Sequence, residues 1–293
     1  MTERKALDAR AFALMLVLTA LWGFQQVAIK LTAADISLVM QAALRTALAA
    51  VLLVAWARWR GIALLSRDGT LGAGLAAGLL FGLEFVFIYA GLGHTAASRM
   101  TVFIYLAPVL TALGLHWLVP GEKLVRAQWV GVAIAFAGIA LAFGEAFAAA
   151  RASLVGDCFG LVAAVLWAAT TVLIRASALA RASAAKTLFY QLGVAAPILL
   201  AASLLLGEKG VVALTPLALA SLAYQGVIVA FASYLAWFWL LTRYLAARLS
   251  VFSFMTPLFG VLAGVMILDE PLTPSFVGAA LLVGAGIVLV NRR

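Results

Sequence analysis

Charge is what this chain has least of. Only eleven Asp and Glu stand among 293 residues, with twenty Lys and Arg and two His, while 66% of the residues are hydrophobic. A soluble globular domain is about 25% charged; here the share is 11%, so a water-facing surface around a folded core is excluded. The lone cysteine, Cys158, cannot form an internal disulfide and reads as a small packing residue. His94 and His116 have no partner at metal-ligand spacing and read as structural. There is no P-loop lysine motif, no His-Glu-x-x-His and no Gly-x-Ser-x-Gly. ATP hydrolysis by the chain itself, and the intramembrane enzymes those motifs mark, lose their support. No cofactor is expected.

Long apolar runs are abundant. A helix crosses the bilayer core with roughly 20 residues, and ten segments of that kind can be placed. They are 10–31, 36–57, 70–91, 96–118, 126–147, 154–176, 184–206, 216–242, 247–268 and 272–290. Turn residues punctuate them: Arg67-Asp68-Gly69, Pro120-Gly121-Glu122, Gly207-Glu208-Lys209-Gly210 and Asp269-Glu270-Pro271. Arg4, Lys5 and Arg10 before the first run imitate a signal peptide, but the run from Ala11 to Ile29 is too long for one.

The basic residues orient the spans. With both termini cytoplasmic, fifteen Lys and Arg fall on the cytoplasmic side: Arg4, Lys5, Arg10, Arg58, Arg60, Arg67, Lys123, Arg126, Arg175, Arg181, Lys186, Arg243, Arg248, Arg292 and Arg293. Four fall outside, Lys30, Arg99, Arg151 and Lys209, and Arg45 lies within a span. This is the positive-inside asymmetry. The net charge of +9 therefore reads as topology and lipid contact, not nucleic-acid binding. Trp56, Trp59, Trp117 and Trp129 are expected at the cytoplasmic interface.

The chain also repeats itself. Leu21-Trp22-Gly23-Phe24-Gln25-Gln26-Val27-Ala28-Ile29-Lys30 is echoed by Leu166-Trp167-Ala168-Ala169-Thr170-Thr171-Val172-Leu173-Ile174-Arg175. Arg99-Met100-Thr101-Val102-Phe103-Ile104-Tyr105-Leu106-Ala107-Pro108 is echoed by Arg248-Leu249-Ser250-Val251-Phe252-Ser253-Phe254-Met255-Thr256-Pro257. Five spans per half is an odd number, so the halves, 1–150 and 151–293, are expected to be inverted. The expected fold is an all-α polytopic membrane protein of ten transmembrane helices in two inverted five-helix repeats.

These motifs resemble the drug/metabolite transporter superfamily. The first-helix Trp with Lys or Arg eight residues on, the fourth-helix prolines, and the acidic residues of Gly121-Glu122 and Asp269-Glu270 carry the likeness. It covers nearly the whole chain and is similar to the EamA-type exporters, and within them to the YddG-type exporters of aromatic amino acids. The resemblance implies helices four and nine bending around a central cavity, and efflux of amino acids or related metabolites.

Pro108 and Pro257 are the expected hinges, since a mid-helix proline removes a hydrogen bond and bends the helix. Arg45 and Glu84 are the strong charges deep within spans, at similar depth from the outer end. Such charges are costly and mark function by default. They either pair with each other or meet the carboxylate and ammonium of a zwitterion. The rough repeat alignment places Ala195 and Tyr234 opposite them. Gln25, Gln41, Thr171 and Gln191 are expected to give the cavity a polar, uncharged lining, each competing with a plain interhelical hydrogen bond. Trp22, Phe81, Phe85, Tyr105, Trp167, Tyr234 and Phe254 are its expected aromatic walls. Trp237, Phe238 and Trp239 are assigned to the interface first and to an inner gate second. Gly74, Gly78 and Gly82 form a ridge for close helix packing, and Gly260 and Gly264 repeat its spacing.

The expected function is a secondary transporter of the bacterial inner membrane. It exports amino acids, aromatic or apolar ones first, by alternating access. The alternatives are export of organic cations or drugs, anchored on Glu84, and translocation of a lipid or lipid-linked sugar. The expected partners are a small-molecule substrate and membrane lipids, with the chain a monomer.

Overall fold

The structure is a computed structural model describing residues 6–92, 94–95, 97–149, 153–269 and 274–292. Arg4, Lys5, Arg151, Glu270, Pro271 and Arg293, used above for topology and motif, lie outside the described residues.

The first half holds α1 (Ala9–Leu31), α2 (Leu38–Trp59), α3 (Leu71–Leu92), α4 (Ala97–Ile104), α5 (Ala107–Leu118) and α6 (Arg126–Ala149). The second holds α7 (Leu154–Ala176), α8 (Ala184–Leu205), α9 (Pro216–Ala223), α10 (Tyr234–Arg243), α11 (Ala246–Ser250), α12 (Met255–Leu268) and α13 (Pro274–Asn291). The described residues contain no strands, only an isolated bridge between Ile36 and Val211. Nine helical runs among them are long and apolar enough to cross a membrane; a further apolar helix, Ser275–Asn291, is shorter. Large apolar side chains such as Leu154, Leu205, Leu217, Met266 and Leu281 point outward. Water would not tolerate that surface, but hydrocarbon does. The protein is a multi-pass membrane protein.

Local chemistry sets the helix ends. Asp8 caps α1 by accepting from the Ala11 N–H (2.9 Å), and Ser183 caps α8 through the Lys186 N–H (3.2 Å). The N-terminus of α2 is capped from far along the chain. The Glu208 carboxylate accepts from the Val39 and Met40 N–H groups (3.0 Å each) and from the Ser203 hydroxyl (2.6 Å). Asp269 takes φ 53° where α12 stops.

Both proline-bearing spans are broken. Between α4 and α5 the helix gives way at Tyr105 and Leu106, just before Pro108. Between α11 and α12 it tightens into a 3-10 turn, Val251–Phe254, just before Pro257. Proline has no N–H to return to the carbonyl four residues back, so the break falls there in both spans. Span eight holds a feature no residue pattern announced: a ten-residue π-helical stretch, Tyr224–Ser233, joins α9 to α10.

Glycine decides how closely the spans cross. A Cβ on Gly74 would meet the Tyr190 ring at 2.3 Å, and one on Gly78 the Tyr190 carbonyl at 2.5 Å. The expected ridge is therefore the face of α3 that α8 rests on. At Gly23, α1 and α12 touch backbone to backbone, with the Gly260 nitrogen and the Thr256 carbonyl 2.7 Å from where a Cβ would sit. Small residues let van der Waals packing hold helices together where lipid supplies no hydrophobic drive. The most extensive pairings are α6 with α13, α3 with α7 and α8, α2 with α8, and α1 with α12. Cys158 does not pack between helices as expected; it is exposed on α7.

Candidate functional site

Four helices, α1, α2, α3 and α10, and the π stretch bring one group of side chains together. Arg45 on α2 is buried at 1% exposure, with its guanidinium carbon 4.9 Å from the centre of the Phe85 ring on α3. Its Nε and Nη1 have no hydrogen-bond partner. Glu84, also buried, lies within Coulombic reach, as do the Tyr89 and Tyr234 hydroxyls. The two charges do not form the direct pair left open above. Among the described residues the ion pairs are Arg99–Asp157, Arg175–Glu122 and Lys186–Asp68.

Aromatic rings surround this charge centre. Phe81 stands edge-on to Phe85 (5.1 Å) and to Tyr234 (6.1 Å), and Phe85 stacks on Tyr89 (6.3 Å). From α1, Trp22 meets Tyr234 at 6.3 Å and Trp237 at 5.9 Å. Its indole N–H donates to the Ser233 hydroxyl, the last residue of the π stretch, at 2.8 Å. Trp22, Phe81, Phe85 and Tyr234 are only half-buried.

The remaining expected site residues make other contacts. Tyr105 and Trp167 form a separate edge-on pair at 6.0 Å. Phe254 is fully buried in the main core beside Phe136. Gln41 is occupied in a polar cluster. Its amide donates to the Ile36 carbonyl (2.8 Å), and its oxygen accepts from Gln225 (2.9 Å) and Thr32 (3.3 Å). Thr171 hydrogen-bonds its own helix at the Trp167 carbonyl (3.4 Å). Gln25 and Gln191 are buried. Pro108 is buried beside the break it marks.

Three cations are satisfied near helix ends. Arg175 donates through Nε (3.0 Å) and Nη2 to Glu122, and through Nη1 to the Leu241 carbonyl (3.2 Å). Glu122 also accepts from the Ala246 (3.0 Å) and Ala247 (3.2 Å) N–H groups. Arg99 pairs with Asp157 and lies over the Phe147 ring at 4.0 Å. Lys186 donates to Asp68 (2.8 Å), which with the Thr70 hydroxyl holds that exposed carboxyl well below the usual carboxylate range. His116 accepts from the Leu124 N–H at 3.1 Å, a structural role. No cluster of three His, Cys, Asp or Glu among the described residues could hold a metal.

Several of these residues escaped the sequence reading. Tyr89 and Ser233 carried no motif. Trp237, assigned first to the interface, turns inward to Trp22, whereas Trp239 is exposed beside Arg243. Trp56, expected at the interface, packs on Phe231 at 6.3 Å.

A model of the EamA-like transporter family matches residues 9–144 and again 154–292. The chain belongs to the EamA-like transporter family. This EamA-like chain is 28% identical over 288 residues to an uncharacterized transporter of Archaeoglobus fulgidus, covering 96% of the chain and 97% of that protein. It is 27% identical over 215 residues to the uncharacterized transporter YvbV of Bacillus subtilis, covering 73% and 68%. It is 24% identical over 283 residues to a "Probable amino-acid metabolite efflux pump" of Salmonella typhimurium, covering 94% and 93%. A solved crystal structure at 21% identity superposes with a TM-score of 0.81 over 97% of this chain and 98% of that one, a likeness of fold.

Proposed function

We propose that this EamA-like protein is a secondary transporter that exports amino acids with aromatic or apolar side chains, and related small metabolites, by alternating access. The observation that carries the reading is the buried Arg45, two of whose nitrogens lack a partner, within Coulombic reach of Glu84 and beside half-buried aromatics. Opposite charges held apart suit the two ends of a zwitterion, and the rings suit its side chain. The relative named as an amino-acid metabolite efflux pump supports the same class.

Ten spans in two inverted five-helix repeats supply the mechanism. The packing pattern supports them, because pairs exchange under the repeat. Span one on span nine (α1 with α12) matches span six on span four (α7 with α5). Span three on span six matches span eight on span one, and span three on span seven matches span eight on span two. The breaks before Pro108 and Pro257 fall at matched places and serve as the hinges. The basic asymmetry supports cytoplasmic termini, and we read the protein as an inner-membrane monomer with lipid and one small solute as its partners. A second reading, export of organic cations, has Glu84 and the aromatic walls in its favour.

Separate transport assays of Arg45→Ala and Glu84→Gln test the site. The amino-acid reading expects both to lose transport. Loss in Glu84→Gln alone would favour organic cations, and full activity in both would place the site elsewhere.

A further inference from the structure

Four cations are buried among the described residues: Arg45, Arg99, Arg175 and Lys186. Three of them sit on a carboxylate and take at least one further oxygen acceptor. The chain therefore pairs its buried cations where their role is architectural. Arg45 is the exception. It is the most enclosed of the four, and two of its nitrogens have no acceptor. Leaving charged donors unmet in a low-dielectric interior is strongly unfavourable. Phe85 covers the face of the guanidinium, but a ring face does not satisfy N–H groups that point along its edge. Glu84 lies within Coulombic reach of Arg45, but the two form no ion pair among the described residues. Two donors of Arg45 are thus left for an anion to meet.

We infer that Arg45 receives the carboxylate of the substrate, and that this carboxylate is the part of the substrate the site requires. The inference rests on the transporter reading above and deepens it. Glu84 takes a secondary part, adding attraction where the substrate carries an ammonium. The half-exposed rings of Trp22, Phe81 and Tyr234 receive the apolar side chain. Aromatic and apolar carboxylates without an amine, such as 2-oxo and 2-hydroxy acids, are therefore substrates too. The corresponding amines, which lack the carboxylate, are not.

The test titrates purified protein in lipid nanodiscs with phenylalanine, phenylpyruvate and 2-phenylethylamine. Wild type is expected to bind the two carboxylates within about tenfold of each other and the amine at least about tenfold more weakly, the worth of one charge-assisted contact. Arg45→Gln is expected to weaken both carboxylates by about tenfold to a hundredfold, Arg45→Lys by less, and Glu84→Gln to weaken phenylalanine alone. The ligand comparison in wild type needs no variant to fold. Phenylalanine bound without phenylpyruvate overturns this inference and leaves the amino-acid exporter standing. The amine bound as tightly as phenylalanine, or carboxylate binding indifferent to Arg45→Gln, overturns it as well. Binding of none of the three overturns both readings.

Discussion

Glu122 offers the sharpest test of the packing. Its carboxylate is buried at 2% exposure and joins three places: the Arg175 guanidinium at the end of α7, the Ala246 and Ala247 N–H groups opening α11, and, through Arg175, the Leu241 carbonyl of α10. Glu122→Leu leaves the buried Arg175 with no counter-charge and two backbone donors with no acceptor. Removing one partner of a buried ion pair typically costs about 3–5 kcal/mol. Stabilities of about 5–15 kcal/mol make that a large fraction of the total. At about 2–4 °C per kcal/mol for a chain of this size, the apparent Tm should fall by on the order of 10 °C. Tryptophan fluorescence during thermal unfolding in nanodiscs reads this directly. The double variant Glu122→Leu with Arg175→Met removes the orphaned charge, so it should be more stable than Glu122→Leu alone. A Tm unchanged in Glu122→Leu, or a double variant that loses the sum of both single losses, would refute the reasoning.

Gly23→Ala should destabilise by about 1–3 kcal/mol, because the added Cβ meets α12 backbone at 2.7 Å. Gly193→Ala, which has nothing within 4 Å, should be neutral or stabilising by up to about 1 kcal/mol; thermal scans of the pair check this. Asp68 titrates low in the folded protein, so its pairing with Lys186 stabilises above its unfolded value of about 3.9 and is lost as pH falls through the lower folded one. The Tm advantage of wild type over Asp68→Asn should therefore be full at about pH 5 and above and shrink below it; an advantage that grows on acidification would contradict the assignment. Pro108→Ala with Pro257→Ala should change the transport rate more than the expression level, measured by counterflow and by immunoblot, and unchanged rates would remove the hinges from the mechanism.

The span boundaries were legible because crossing a bilayer demands unbroken apolar length, and both helix breaks because proline cannot donate. Which face of each span points inward was not. Lipid and protein core are equally apolar, so the periodicity that marks a buried face in a soluble helix disappears. Arg45 and Glu84 stood out because charge is rare, and the glycine ridge because its spacing is regular. Gln41 and Gln191 looked alike in sequence, yet only Gln41 meets Thr32 and Gln225. The π stretch Tyr224–Ser233, which packs on α1 and α2, left no mark in the residue pattern. Trp237 meets Trp22, although its place near a span end suggested the membrane surface. The last helix, expected from 272, begins beside residues outside the description, and its apolar run is the shortest of the set.

Counterflow in proteoliposomes tests the central claim most directly. Vesicles loaded with unlabelled amino acids are mixed with labelled tryptophan, phenylalanine or threonine, with and without a proton gradient. The account predicts uptake of the aromatic label that Arg45→Ala abolishes. No uptake of any amino acid, together with uptake of a labelled organic cation, would contradict it.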